Sequence, residues 1–167
     1  DSCSLSLAST NPQIRALKKG GKKGGNGALS ALIVTPSGYD GTFSSSGTAT
    51  VRCNPDGSFL LQITAQGLDT TCDSCKVAIY DGTSCDSPGS AYFNEDNFGF
   101  NPWFSYDPNY YCTYGDGGLS NSAFSFTNGY TCDENEGRVV VMFDDTSKTI
   151  LGCGVLGEER TTNVLEV

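Results

Sequence analysis

The 167-residue chain contains no histidine at all, and only one methionine and one tryptophan. Without imidazole it can build neither a Ser-His-Asp nor a Cys-His nucleophile, nor a zinc finger with histidine ligands, and no side chain titrates near neutral pH by default. No stretch approaches the ~18 consecutive apolar residues of a membrane-spanning helix. No Asn-x-Ser/Thr sequon occurs, so N-glycosylation gives no hint of route. A charged and apolar leader is also missing, and with Asp1 first the chain is expected to be the mature form of a targeted precursor.

Basic charge is scarce and uneven. Ten Lys and Arg stand against nineteen Asp and Glu, and five of the ten (Arg15, Lys18, Lys19, Lys22, Lys23) fall within nine positions. Residues 28–167 carry five basic and eighteen acidic side chains, a formal charge of −13. So acidic a body repels nucleic acid and anionic lipid, which excludes nucleic acid as a partner. The Gly/Lys segment from Lys18 to Gly25 has the composition of a linker. Residues 1–27 therefore read as an N-terminal basic arm and 28–167 as one domain. The arm is either a solvated tail attracted to its own acidic domain or a docking arm whose Lys18, Lys19, Lys22 and Lys23 meet a partner.

What is present is cysteine, glycine and short β-rich runs. Eight cysteines, with no histidine to share a zinc site, read as disulfides made in an oxidising compartment. Cys72-Asp-Ser-Cys75 is half of a four-thiolate zinc site or a redox pair, but no second Cys-x-x-Cys exists and no βαβ pattern surrounds it. Strand patterns occur at residues 28–34, 47–53, 59–65, 77–80, 123–127, 139–143 and 150–156. Turn signals separate them, Asn54-Pro-Asp-Gly57 being a hairpin turn between two runs. Seven or eight short strands at this spacing predict an all-β Greek-key sandwich or flattened barrel. The acidic turns Asp133–Glu136 and Asp144-Asp145 lack EF-hand spacing and read as solvated loops.

An ordered set of motifs then resembles a copper/zinc superoxide dismutase. Ser58-Phe-Leu-Leu-Gln-Ile-Thr-Ala-Gln-Gly-Leu68 is similar to the strand before the family's metal-binding strand, and Val77-Ala-Ile-Tyr-Asp-Gly82 takes the place of its His-x-His strand. Ser90-Ala-Tyr-Phe-Asn94 and Gly137-Arg-Val-Val-Val-Met142 are similar to its two later histidine motifs. The resemblance puts Ala78, Tyr80, Ala91 and Met142 at ligand positions and Ile150 where the family's arginine would sit. Asn101-Pro-Trp103 is similar to a motif of an algal branch. The implied fold is a dismutase-like Greek-key barrel, with all metal ligands lost and no cofactor. The resemblance further implies a bridge between Cys85 and Cys153, and closing a 68-residue loop would contribute about 4 kcal/mol. Cys112 with Cys132, Cys72 with Cys75 and Cys3 with Cys53 are the remaining expected pairs, chosen from fifteen connectivities.

Ten of the eighteen aromatic residues lie between Tyr92 and Tyr114. Either they organise a long loop by packing, or Phe98, Phe100, Trp103, Phe104 and Tyr106 form a contact surface. The expectation is a domain that is not an enzyme: a non-catalytic, structural or interaction subunit with protein partners in a larger assembly. A peripheral lumenal subunit of an algal photosynthetic complex or an extracellular filament component fits, placing the chain in the thylakoid lumen or outside the cell. The alternative is a secreted binding module whose aromatic loop around Trp103 holds a glycan or small ligand.

Overall fold

The computed structural model describes residues 27–69, 75–105 and 120–158. Eight strands run through them: β1 (Ala28–Val34), β2 (Ser46–Cys53), β3 (Phe59–Gln66), β4 (Cys75–Tyr80), β5 (Ser120–Phe126), β6 (Val139–Asp144), β7 (Ile150–Val155) and β8 (Gly157–Glu158). Three single-turn helices accompany them: α1 (Glu95–Phe98), α2 (Pro102–Ser105) and α3 (Cys132–Asn135). The seven longer strands fall on the seven runs read from the sequence, with ends shifted by up to three residues.

All pairings are antiparallel, in the order β4-β6-β7-β1-β2-β3-β5, with β8 on β1. β1, β2 and β3 form a meander. The chain then crosses from β3 to β4 at the far end of the order, returns to β5 beside β3, and crosses again to β6 beside β4. These two crossings are the Greek-key element of an all-β flattened barrel.

Period-2 patterning makes the barrel wall. Leu29, Ala31 and Ile33 of β1 and Phe59, Leu61, Ile63 and Ala65 of β3 are buried, while their alternates point outward. β6 departs from that alternation: Val139 through Phe143 are all buried, so both of its faces are covered. The Asn54–Gly57 turn forms as expected. Gly57 sits at φ +86°, the Asn54 N–H donates to Ser58 O (2.8 Å), and Asp56 Oδ1 accepts from the Ser58 N–H (2.9 Å) and hydroxyl (2.6 Å).

The disulfides bear out one expected pair and correct others. Cys85 is bonded to Cys153. Cys53, however, is bonded to Cys132, which displaces both Cys3–Cys53 and Cys112–Cys132. The reason is three-dimensional: Cys53 ends β2 and Cys132 opens α3, and their Cα atoms lie 5.8 Å apart across 79 residues of sequence. Cys75 is also disulfide-bonded, while Cys3, Cys72 and Cys112 lie outside the described residues. Two such long-range cross-links fit an oxidising compartment. Among the described residues no helix is long and apolar enough to cross a membrane.

The Asp56 carboxyl is held below its ordinary range, first by the Ser58 hydroxyl and then by the Ser58 N–H. Asp145 is lowered too, chiefly by its hydrogen bond from Lys148. A carboxyl with a depressed folded pKa contributes stability above its unfolded value, and that stability is lost as pH falls through the folded one. The melting temperature should therefore drop on acidification from about pH 5 to about pH 3. Differential scanning calorimetry should show a smaller drop in Asp56→Asn, and an identical drop would refute the contribution.

Candidate functional site

The register of β4 on β6 decides which side chains share a face. Val77 pairs with Met142, Ala78 with Val141, Ile79 with Val140 and Tyr80 with Val139. Directly opposed residues of an antiparallel pair point to the same side, and neighbours along a strand to opposite sides. Ala78, Tyr80, Val139, Val141 and Phe143 therefore form one face, and Val77, Ile79, Val140 and Met142 the other. The second face is the barrel interior: Met142 is fully buried and pairs with Gly152, where an added Cβ would meet Ile33 and Ser45. The first face is the outer one, shared by Cys153 and Val155 of β7.

Four of the five positions singled out by resemblance come together on that outer face. Ala78 and Tyr80 are on β4, and Ala91 is bridged to Tyr80, with the Tyr92 N–H donating to Ile79 O (2.8 Å). Ile150 pairs with Phe143 after an irregularity between Met142 and Phe143. Met142 does not join them. It points into the core, and the residue on the shared face is Phe143, whose ring meets Tyr80 edge-on at 6.1 Å between centroids. The assignment of Met142 to the fourth ligand position is thus corrected to Phe143, because a one-residue slip reverses the face.

These residues do not fit a copper or zinc ion. Two methyl groups, a phenol, a phenyl ring and an isoleucine offer no nitrogen donor, and copper(II) sites of this kind require imidazole-type ligands. Among the described residues no group of three or more Cys, Asp or Glu is placed to hold a metal. The face is instead closed by rings and by Asp145 with two lysines. Phe104 meets Phe143 edge-on at 6.1 Å, Lys76 Nζ lies 6.0 Å from the Phe104 centroid, and Asp145 takes Lys148 at 2.6 Å and Lys76 at 3.5 Å. Burial, and secondarily Asp145, pushes the Tyr80 phenol up, so it stays protonated.

The loop between β4 and β5 is tied down by its own local chemistry. Asn101 Oδ1 accepts from the Trp103 N–H (3.0 Å) and Pro102 opens α2, an N-cap and first-position proline that explain the Asn-Pro-Trp sequence. Trp103 is 0% exposed, stacks on Phe126 at 4.0 Å and donates from Nε1 to Tyr92 O (2.8 Å). A ligand cannot lie on a ring already buried between Phe126 and Phe59. The expected role of Trp103 as a ligand anchor is therefore corrected to a core role. Phe98 is half-buried against Phe100, while Phe100 and Phe104 remain 50% and 44% exposed. Lys18, Lys19, Lys22, Lys23 and Tyr106 lie outside the described residues.

A second cluster could not be read from the sequence. Tyr92 stacks on Tyr130 at 4.2 Å with 9° between planes, and the Arg138 guanidinium lies 4.4 Å from the same Tyr92 ring. Arg138 donates from its NH1 group to Asp81 O (2.6 Å), and its buried Nε–H has no protein acceptor. An open cleft of about 750 Å3 adjoins them, lined also by Asp81, Asn94, Glu95 and Asp96. Burial raises the Tyr92 phenol against the opposing pull of Arg138. The three partners are 38 and 8 residues apart in sequence, and only the Greek-key crossing unites them. Glu134, read as a solvated acid, accepts from the Thr131 N–H and hydroxyl (both 2.8 Å) and caps α3.

By sequence the chain matches no protein-family model and no curated protein. By structure it is similar to superoxide dismutase 5 of Candida albicans. A point mutant of that protein superposes with TM-score 0.54 at 12% identity, over 80% of this chain and 92% of that one. Its copper(II) form gives 0.51 at 11% identity, over 85% and 99%. These likenesses establish a superoxide dismutase-like fold. They also correct the expectation that the chain is not an enzyme: its structural neighbours are superoxide dismutases, so the fold is one that carries enzymes.

Two measurements test this geometry. Trp103→Ala should lower stability by about 3–5 kcal/mol in urea titration, since it removes a fully buried ring; a loss under about 1 kcal/mol would contradict the core role. Histidines at 78, 80, 91 and 143 should create a copper(II) site detectable by paramagnetic resonance. Moving the fourth substitution from Phe143→His to Met142→His should weaken that binding and alter its spectrum, and identical copper binding by both would overturn the face assignment.

Proposed function

We propose that this superoxide dismutase-like domain acts as a structural, protein-contacting subunit of a larger assembly in an oxidising compartment, either extracellular or thylakoid-lumenal. One observation carries the reading: the outer face of β1 and β7 is apolar and bare. Leu32 is 74% exposed, Val34 49% and Val155 42%. Val34 pairs with Cys153, so the antiparallel register sets Val155 across from Leu32 and makes the three contiguous. Scattered exposed aliphatics are ordinary, but branched aliphatics grouped on two adjoining strands mark a contact surface.

Backbone geometry supports a rigid platform there. An added Cβ on Gly154 would meet Leu32 O at 2.2 Å and Ala31 Cβ at 3.0 Å, so β1 and β7 are held close. Cys153, between Gly152 and Gly154, is bonded to Cys85, which fixes the loop beside the patch. A preorganised face loses little entropy on docking.

Gentle isolation followed by native mass spectrometry should find the chain in a complex with protein partners. Leu32→Asp combined with Val155→Asp should release it while leaving the melting temperature nearly unchanged, because both positions are exposed. A monomer on gentle isolation, or a complex indifferent to the two charges, would reject the proposal.

A further inference from the structure

The cleft beside Tyr92, Tyr130 and Arg138 has a chemistry distinct from the apolar β1–β7 face, and the residues around it define what could enter. The flat Tyr92 ring has Tyr130 on it at 4.2 Å and Arg138 over it at 4.4 Å. Tyr130 and the Arg138 guanidinium thus both pack on Tyr92 in one stack. Tyr130, half-buried at the end of that stack and lining the cleft, is the ring available to a ligand.

Around it the hydrogen-bonding groups are mixed and the charge is negative. Asp81, Glu95 and Asp96 are exposed carboxylates lining the cleft, with Asn94 between the strand and α1. Asp81 Oδ1 accepts from the Ser90 N–H (2.8 Å), and its backbone carbonyl already holds Arg138, so that edge is fixed. Arg138 is the only cation in the lining, and it is engaged by stacking and by Asp81 O while its Nε–H is left without an acceptor. Three carboxylates against one committed guanidinium disfavour a phosphate, sulfate or carboxylate ligand. The tyrosine ring favours a flat apolar face, and the exposed carboxylates favour hydroxyl donors.

A neutral sugar ring meets all of these demands at once. Its C–H face packs on a tyrosine, its hydroxyls donate to carboxylate and amide oxygens, and the same hydroxyls accept from donors in the wall. The volume of about 750 Å3 lies within the range of small-ligand sites. We infer that the Tyr92–Tyr130–Arg138 cleft is a binding site for a neutral glycan, with Tyr130 as the stacking platform and Glu95 and Asp96 as hydroxyl acceptors. Glycan recognition is thus assigned to Tyr130 and not to Trp103, which is buried.

Isothermal titration calorimetry of the full chain with cellotetraose, mannotetraose and chitotetraose, against a heparin tetrasaccharide and adenosine, tests the assignment. At least one neutral tetrasaccharide should bind and the heparin fragment should not. Tyr130→Ala should weaken that binding about tenfold, and Tyr130→Phe should retain it. As Tyr130→Ala removes a ring from the Tyr92 stack, the surface variant Glu95→Ala with Asp96→Ala supplies a second reading and should also weaken binding. Leu32→Asp should leave it unchanged, which separates this site from the β1–β7 contact. Binding of none of the neutral sugars, preference for the heparin fragment or adenosine, or affinity indifferent to both Tyr130→Ala and the carboxylate variant would overturn the inference.

Discussion

The antiparallel pairing of β4 with β6, and of β6 with β7, is the constraint on which every site in this domain depends. Six consecutive pairs from Cys75–Asp144 to Tyr80–Val139 fix β4, and Val141–Cys153 continues the same row onto β7. That row sets Ala78, Tyr80, Phe143, Ile150 and Cys153 outside and Met142 inside. It also carries Arg138, one residue before β6, to the end of the barrel where Asp81 and Tyr92 lie. Slipping β4 by one residue would turn Lys76 and Tyr80 into the barrel interior in place of the buried Val77 and Ile79, at about 1.5–3 kcal/mol for each apolar side chain displaced.

Residues 81–105, the described part of the chain after β4, are held to this frame by two independent means. The Cys85–Cys153 bridge closes 68 residues, and Trp103 is buried against Phe126 and Phe59. Tyr92 O links the two regions, accepting from Trp103 Nε1 and from Asn128 Nδ2, while Asn128 also donates to the buried Asn135. The buried polar atoms of this network are paired, which fixes Tyr92 and Trp103 against Asn128 and Asn135. The Arg138 Nε–H is the exception among the described residues. It lies beside the stacked Tyr92–Tyr130 pair.

The sequence carried the wall of the barrel more clearly than its contents. Strands β1 and β3 alternate cleanly, so their phase and their buried faces follow from period 2 alone. The run Val139–Phe143 is apolar at every position, and a strand covered on both sides leaves no alternation from which to read phase. That is why Met142 and Phe143 could be exchanged by motif matching and only pairing with β4 separated them. Trp103 posed a different difficulty, since a tryptophan in a loop has the same one-dimensional signature whether it anchors a ligand or plugs a core. Cys53–Cys132 was equally hidden, because pairing across 79 residues depends on a crossing that spacing does not encode.

Charge and apolar surface divide the molecule into faces with different possible neighbours. With a formal charge of −13 over residues 28–167, long-range electrostatics favours no anionic surface. The proposed contact through Leu32, Val34 and Val155 draws on short-range burial, which is insensitive to that charge once partners touch. The acidic cleft excludes anions by the same field but tolerates neutral hydroxylated molecules, whose hydroxyls donate to carboxylates. One distribution of charge thus restricts both surfaces: the bare strands to apolar protein contact, and the tyrosine cleft to uncharged ligands.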